Sequence, residues 1–126
     1  MASHHVFVYG SLKKGFGNHR VLKMNDGVLL SDSVMIFGAK MYNVGAFPCI
    51  TFSDNPSDVV HGELYVVNNN TLKALDMLEG YPDFYDRKQV YIYDEDNPAY
   101  QTEAWVYYWA DEEQAEGLTQ IKTGRW

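Results

Sequence analysis

Six short runs of β-branched and aromatic residues, each cut off by a glycine, a proline or a polar cluster, limit what this chain can fold into. They are Val6 to Tyr9, Val28 to Leu30, Val34 to Phe37, Val59 to Val67, Gln89 to Tyr93 and Ala99 to Trp109. Side chains of this kind suit a pleated, half-buried backbone, so each run is predicted to be a strand. Ser31-Asp32-Ser33 reads as a turn between the second and third. Asn55-Pro56 is the sharpest turn signal, ahead of the run Val59 to Val67, the clearest long strand. Gly45-Ala46-Phe47-Pro48 reads as a loop feeding a short strand at Pro48-Cys49-Ile50-Thr51. In the last run Ala104, Val106 and Tyr108 alternate with Trp105, Tyr107 and Trp109, which predicts a strand covered on both faces.

One segment carries full helix punctuation. Asn68 to Thr71 supply capping side chains. Leu72, Leu75 and Leu78 share a face in a helix over roughly Leu72 to Leu78. Gly80 can take the left-handed conformation that ends it, and Pro82 reinforces the stop. A helical turn is also expected over His19 to Met24, and either a short helix or ordered coil over Glu112 to Ile121. Many short strands with few helices argue against a doubly wound sheet. The fold class read from the pattern is α+β, with a curved or barrel-like mixed sheet and helices outside it. At 126 residues and 46% hydrophobic, the chain is expected to be one domain over residues 1–126.

Several function classes fall away. Asp and Glu number 17 against 10 Lys and Arg, for a net charge of −7, and no basic cluster occurs. Such a chain repels nucleic acid and anionic membrane, so no nucleic-acid partner is expected. No run nears the roughly 18 apolar residues needed to span a bilayer, so no membrane partner is expected either. The start of the sequence lacks a signal-peptide pattern, which predicts a cytoplasmic location. The single cysteine, Cys49, excludes an intrachain disulfide and reads as a small buried hydrophobe. His4, His5, His19 and His61 are scattered and form no metal-binding motif, so neither metal nor cofactor is expected. Nothing in the sequence specifies an oligomeric state.

Two places could carry chemistry. Glu79 ends its helix, where a negative charge opposes the helix dipole, and Leu78, Tyr81, Phe84 and Tyr85 could strip it of water. Both influences raise a carboxyl pKa toward neutrality, as a general base requires. The plain alternative is a solvent-facing Glu at a frayed helix end. The second place is Tyr9-Gly10-Ser11-Leu12, a loop whose free N–H groups could hold a carboxylate or an oxyanion. It lacks the Walker spacing and the dinucleotide fingerprint. Glu63, inside an apolar run, either faces solvent or is paired.

Taken in order, these segments resemble the γ-glutamylcyclotransferase-like family. Val6-Phe7-Val8-Tyr9-Gly10-Ser11-Leu12-Lys13 is similar to its signature loop. Gly15-Phe16-Gly17-Asn18-His19-Arg20-Val21-Leu22 is closest to the γ-glutamylamine cyclotransferase branch. Gly62-Glu63-Leu64-Tyr65 resembles the central strand. Leu75-Asp76-Met77-Leu78-Glu79-Gly80-Tyr81 with Tyr85-Asp86-Arg87 resembles the catalytic helix end, and Gly124-Arg125-Trp126 a family tail. The resemblance implies a small mixed β-barrel, of about six strands here, with flanking helices. It implies a small-molecule γ-glutamyl substrate and an intramolecular aminolysis giving 5-oxoproline and a free amine. Glu79 would be the catalytic acid–base residue. Tyr9, Gly10, Ser11, Leu12, Asn18 and Tyr85 would contact substrate, Tyr85 by shaping the pocket or hydrogen-bonding Glu79. Arg87 reads as a structural ion-pair former, with a substrate contact as the alternative. The leaving amine stays open between a γ-glutamyl-lysine isopeptide, a γ-glutamyl amino acid and another γ-glutamyl amide. A non-catalytic module that binds a small carboxylate on the same fold, and a hydrolase of another amide, are the alternatives.

Overall fold

The computed structural model of the chain describes residues 3–10, 13, 22 and 27–126. Among these, eight strands and two helices follow in the order β1 (Ser3–Val8), β2 (Val28–Phe37), β3 (Ala39–Asn43), β4 (Pro48–Phe52), β5 (Val59–Asn68), α1 (Asn69–Glu79), β6 (Asp86–Asp94), β7 (Gln101–Tyr108), α2 (Glu112–Glu116) and β8 (Thr119–Ile121). Five strands pair round a ring in the order β1-β5-β2-β6-β7. The ring meets itself where β7 touches β1 in parallel, Val6 opposite Trp105. Its other pairings are antiparallel. A separate antiparallel sheet has the order β4-β3-β8.

This corrects the predicted single barrel of about six strands. There are eight, divided between two sheets, and the three-stranded sheet is open. The division has a local cause. Only Gly38 separates β2 from β3, and its φ of 77° turns the chain out of the ring, so that Ala39–Asn43 pairs with β4 and β8 instead.

Two further expectations change. Ser31-Asp32-Ser33 does not separate two strands. It sits inside β2 as an irregularity, with register shifts between Leu29, Ser31 and Val34. Ser33 N–H donates to Ser31 Oγ at 3.2 Å, so the serines satisfy locally what the ladder leaves unpaired. Likewise Glu112 to Ile121 is not one helix, because α2 stops at Glu116 and β8 follows. Of the turn expected over His19 to Met24, only Leu22 is described, and it is fully buried.

β1 explains how the core is laid out. Alternate side chains on a strand point to opposite faces. Val6 and Val8 pack with Tyr65, Leu75, Tyr85 and Tyr107 on the helix side. Phe7 and Tyr9 pack with Ile36, Leu64, Ile92 and Val106 within the ring. Both faces are therefore buried, which is why the run is continuously apolar. β7 follows the same rule: Ala104 and Val106 join the ring core, Trp105 and Tyr107 the helix side.

Helix α1 starts where Asn68 Oδ1 accepts the Thr71 N–H at 2.8 Å and the Thr71 hydroxyl at 3.0 Å. It ends at Gly80, with φ 65°, where Gly80 N–H reaches Met77 O at 3.3 Å and Tyr81 N–H reaches Asp76 O at 2.9 Å. Leu72 and Leu75 are buried as expected, but Leu78 is 41% exposed. At 3.6 residues per turn, six residues bring Leu78 about 120° round from Leu72, off the core-facing stripe. No helix among the described residues is long and apolar enough to cross a membrane.

Candidate active site

Leu78 is exposed because it lines a pocket instead of the core. Four segments distant in sequence meet there: Tyr9-Gly10 past the end of β1, Phe47-Pro48 entering β4, the stretch from Leu78 to Tyr85 at the end of α1, and Tyr107 of β7. They surround about 130 Å³.

Glu79 is the only ionised-type carboxyl among the described residues that line it. The left-handed Gly80 reverses the chain immediately after it. Phe84 N–H then donates to Gly80 O at 2.7 Å and Tyr85 N–H to Glu79 O at 3.3 Å, which folds two aromatic side chains back beside the carboxyl. Burial there pushes the Glu79 pKa up from 4.5 to about 7. Burial is one of the two influences that the sequence suggested. None of the described residues hydrogen-bonds this carboxylate, so nothing among them offsets its loss of water.

The tyrosines around it are held by the backbone. Tyr9 O–H donates to Tyr107 O at 2.7 Å and Tyr85 O–H donates to Pro48 O at 2.8 Å. Burial first, and then neighbouring negative charge including that of Glu79, raises both phenol pKa values above the ordinary value, so both are weaker acids than a free tyrosine. They stay protonated and fix pocket walls. Tyr85 is thus a shaping residue and does not spend its hydroxyl on Glu79.

Behind the helix end lies a charged group of three. Tyr107 O–H donates to Asp76 Oδ1 at 2.7 Å, and Arg87 Nε sits 3.1 Å from the same oxygen. The Arg87 contact is one of charge rather than an aligned hydrogen bond. Its guanidinium lies 4.2 Å from the Trp105 ring centroid and 4.8 Å from that of Tyr81. Arg87 does not line the pocket.

Of the residues expected to meet, Tyr9, Gly10, Tyr85 and Glu79 do so at one pocket. Ser11, Leu12 and Asn18, with His19, lie outside the described residues. Phe47, Pro48, Tyr107 and Asp76 were not singled out by sequence. Only the Gly45–Pro48 loop signal and the alternation in β7 hinted at the first three. Glu63 is paired, accepting from Tyr65 O–H at 3.0 Å, and does not line the pocket. His61 contacts Glu95, whose Oε1 also receives Arg125 Nη2 at 2.9 Å. Among the described residues no group of three or more His, Cys, Asp or Glu could hold a metal ion.

Comparison with known proteins bears on the family and the fold. The family profile described as "Gamma-glutamyl cyclotransferase, AIG2-like" matches residues 6–126. A Methanocaldococcus jannaschii protein whose name places it among the gamma-glutamylcyclotransferases is 37% identical over 107 residues, 85% of each chain. Gamma-glutamylaminecyclotransferase C of Danio rerio is 34% identical over 100 residues, 73% of this chain and 64% of that protein. The crystal structure of an aig2-like protein from Mus musculus superposes with a TM-score of 0.80 at 24% identity, covering 97% of this chain and 88% of that one, which speaks for the fold alone. The match along nearly the whole described chain and the shared fold lead to one assignment: the chain belongs to the AIG2-like gamma-glutamyl cyclotransferase family.

Proposed function

We propose that this protein cyclises a γ-glutamyl amide in the manner of a γ-glutamylamine cyclotransferase, releasing 5-oxoproline and a free amine, with Glu79 moving the protons. The observation that carries this reading is a single carboxyl with a pKa near 7 in a pocket shared with the Tyr9-Gly10 loop end. A general base works best when its pKa lies near the working pH, and burial has brought Glu79 there.

The reaction is an attack by the substrate's α-amine on its own γ-carbonyl carbon. Glu79 takes a proton from the arriving ammonium and frees the lone pair. A carbon–nitrogen bond forms to close the five-membered ring, and the original amide bond breaks. The departing nitrogen receives a proton through Glu79. The second proton lost by the attacking nitrogen ends on the freed amine, which becomes an ammonium. Backbone N–H groups of Gly10, Ser11 and Leu12, with Asn18, would hold the glutamyl oxygens and the developing oxyanion. Tyr9 and Tyr85 shape the walls that fold the glutamyl chain toward its reactive conformer. No step in this scheme requires a metal or cofactor.

The test is lactam formation, followed by mass spectrometry, from γ-glutamyl-ε-lysine, γ-glutamyl amino acids and γ-glutamyl alkylamides, with Glu79→Gln alongside. The parent is expected to make 5-oxoproline, with kcat/KM rising as pH climbs through about 7. Glu79→Gln is expected to lose on the order of 100-fold or more. Linear glutamate in place of lactam would make the protein a hydrolase, and binding without any product would make it a carboxylate-binding module.

A further inference from the structure

We infer that the amine this protein releases is apolar, an alkyl or arylalkyl amine, received by a rim of Phe47, Leu78 and Phe84. The inference rests on the cyclotransferase reading and specifies its substrate class. The residues lining the pocket sort sharply by exposure. Tyr9, Tyr85 and Tyr107 are 6%, 4% and 3% exposed and form its floor, whereas Leu78 and Phe84 are 41% and 50% exposed and form its mouth. The glutamyl group must reach the floor, where Glu79 can move its protons. The amine on the other side of the scissile bond must depart to solvent, so its substituent lies at the mouth.

That mouth is a rigid apolar surface. Phe84 stands edge-on to Tyr85 at 5.0 Å and 87°, to Phe47 at 5.9 Å and 77°, and to Trp109 at 5.6 Å and 68°. Three ring contacts fix a side chain that still leaves half its surface in water. Apolar area held in place and left wet is area that a ligand can cover at little ordering cost. Charge points the same way. None of the described lining residues is a cation, Asp83 adjoins Phe84, and the chain carries a net charge of −7. A leaving group that bears a carboxylate, as every amino acid does, meets repulsion there, and a hydrocarbon group does not.

The experiment compares γ-glutamylbenzylamide with γ-glutamylglycine, whose released primary amines are of similar basicity, so the comparison reads the mouth rather than leaving ability. The parent's kcat/KM is expected to favour the benzylamide by about tenfold, the scale of one well-placed apolar contact. Phe84→Ala is expected to lower kcat/KM for the benzylamide by a larger factor than for the glycine conjugate, chiefly through KM. Phe84→Leu is expected to restore most of the preference. Equal turnover of the two conjugates, or preference for glycine, would overturn the inference and leave the reaction class intact. Calorimetric binding of both compounds to Glu79→Gln reads the mouth without turnover. Tighter binding of the benzylamide supports the inference, and equal or weaker binding overturns it, whether or not lactam forms in the parent.

Discussion

Replacing the residue proposed as the base should make the protein more stable, by a margin that grows as pH rises above about 4.5 and is complete above about 7. Folding raises the Glu79 carboxyl from 4.5 to about 7, because burial disfavours its charged form. Between those values the folded chain holds a proton that the unfolded chain has released. Stability therefore falls as pH climbs through that window and levels off above it. At about 1.4 kcal/mol per pKa unit, holding this carboxylate ionised in the folded state costs at most about 3 kcal/mol. Glutamine keeps the shape without the charge and is spared that cost. Urea unfolding of the parent and Glu79→Gln at pH 4 and pH 8 checks the reasoning. The two midpoints should nearly coincide at pH 4, where the parent carboxyl is protonated in both states. At pH 8 the variant's midpoint should lie higher by roughly 1 M or more, given urea slopes of about 1–3 kcal/mol per molar. A gap of the same size at both pH values, or none at pH 8, would refute it. The carboxylate would then be well hydrated in the folded chain and too acidic for the proposed proton transfer.

Three other perturbations address the frame around the site. Asp76→Ala should destabilise the fold by about 3–5 kcal/mol, because it strands a buried guanidinium; Arg87 is 16% exposed and Asp76 is the carboxylate paired with it. Chemical denaturation measures this, and a loss below about 1 kcal/mol would mean that water replaces Asp76. Gly80→Ala should cost about 1–2 kcal/mol, the penalty for left-handed backbone with a Cβ, and Gly80→Asn less; thermal unfolding ranks the two, and equal losses would contradict the assignment. The Cys49 thiol, pushed up to about 12 by burial, should resist a disulfide reagent in the native protein and react at once in urea. Rapid labelling of the native chain would show that the site is open.

Local signals in the sequence were reliable where one rule governed the outcome. The Asn68 cap and the Gly80 stop are backbone hydrogen-bond requirements, and both formed as read. The apolar run from Val6 signalled a strand, and the alternation of Trp105 and Tyr107 with Ala104 and Val106 signalled one covered on both faces; both formed. Ser31-Asp32-Ser33 misled because the same polar residues that make a turn also satisfy a bulge. What decides between them is β5, which runs alongside β2 through the irregularity. The separate sheet was invisible for a similar reason. β8 is a three-residue strand that exists only because β3 offers an edge. Glu79 was legible as a helix-end carboxylate, but the cause of its raised pKa is tertiary. The residues behind it, Tyr107 and Asp76, meet across 31 positions that no periodicity connects.

The ring's closure has a consequence for the order in which this protein becomes itself. Val6 meets Trp105, and the Tyr9 O–H donates a hydrogen bond to the carbonyl of Tyr107, 98 residues downstream. The pocket is thus walled by the beginning of the chain and by its seventh strand. As the chain emerges during synthesis, β1 must wait beside β5, with one neighbour missing, until β7 arrives. Contacts that span so much sequence are slow to find and come late. The site has no early, partial form: a chain shortened before β7 could hold helix α1 and Glu79 yet have no Tyr107 wall for a substrate to be pressed against.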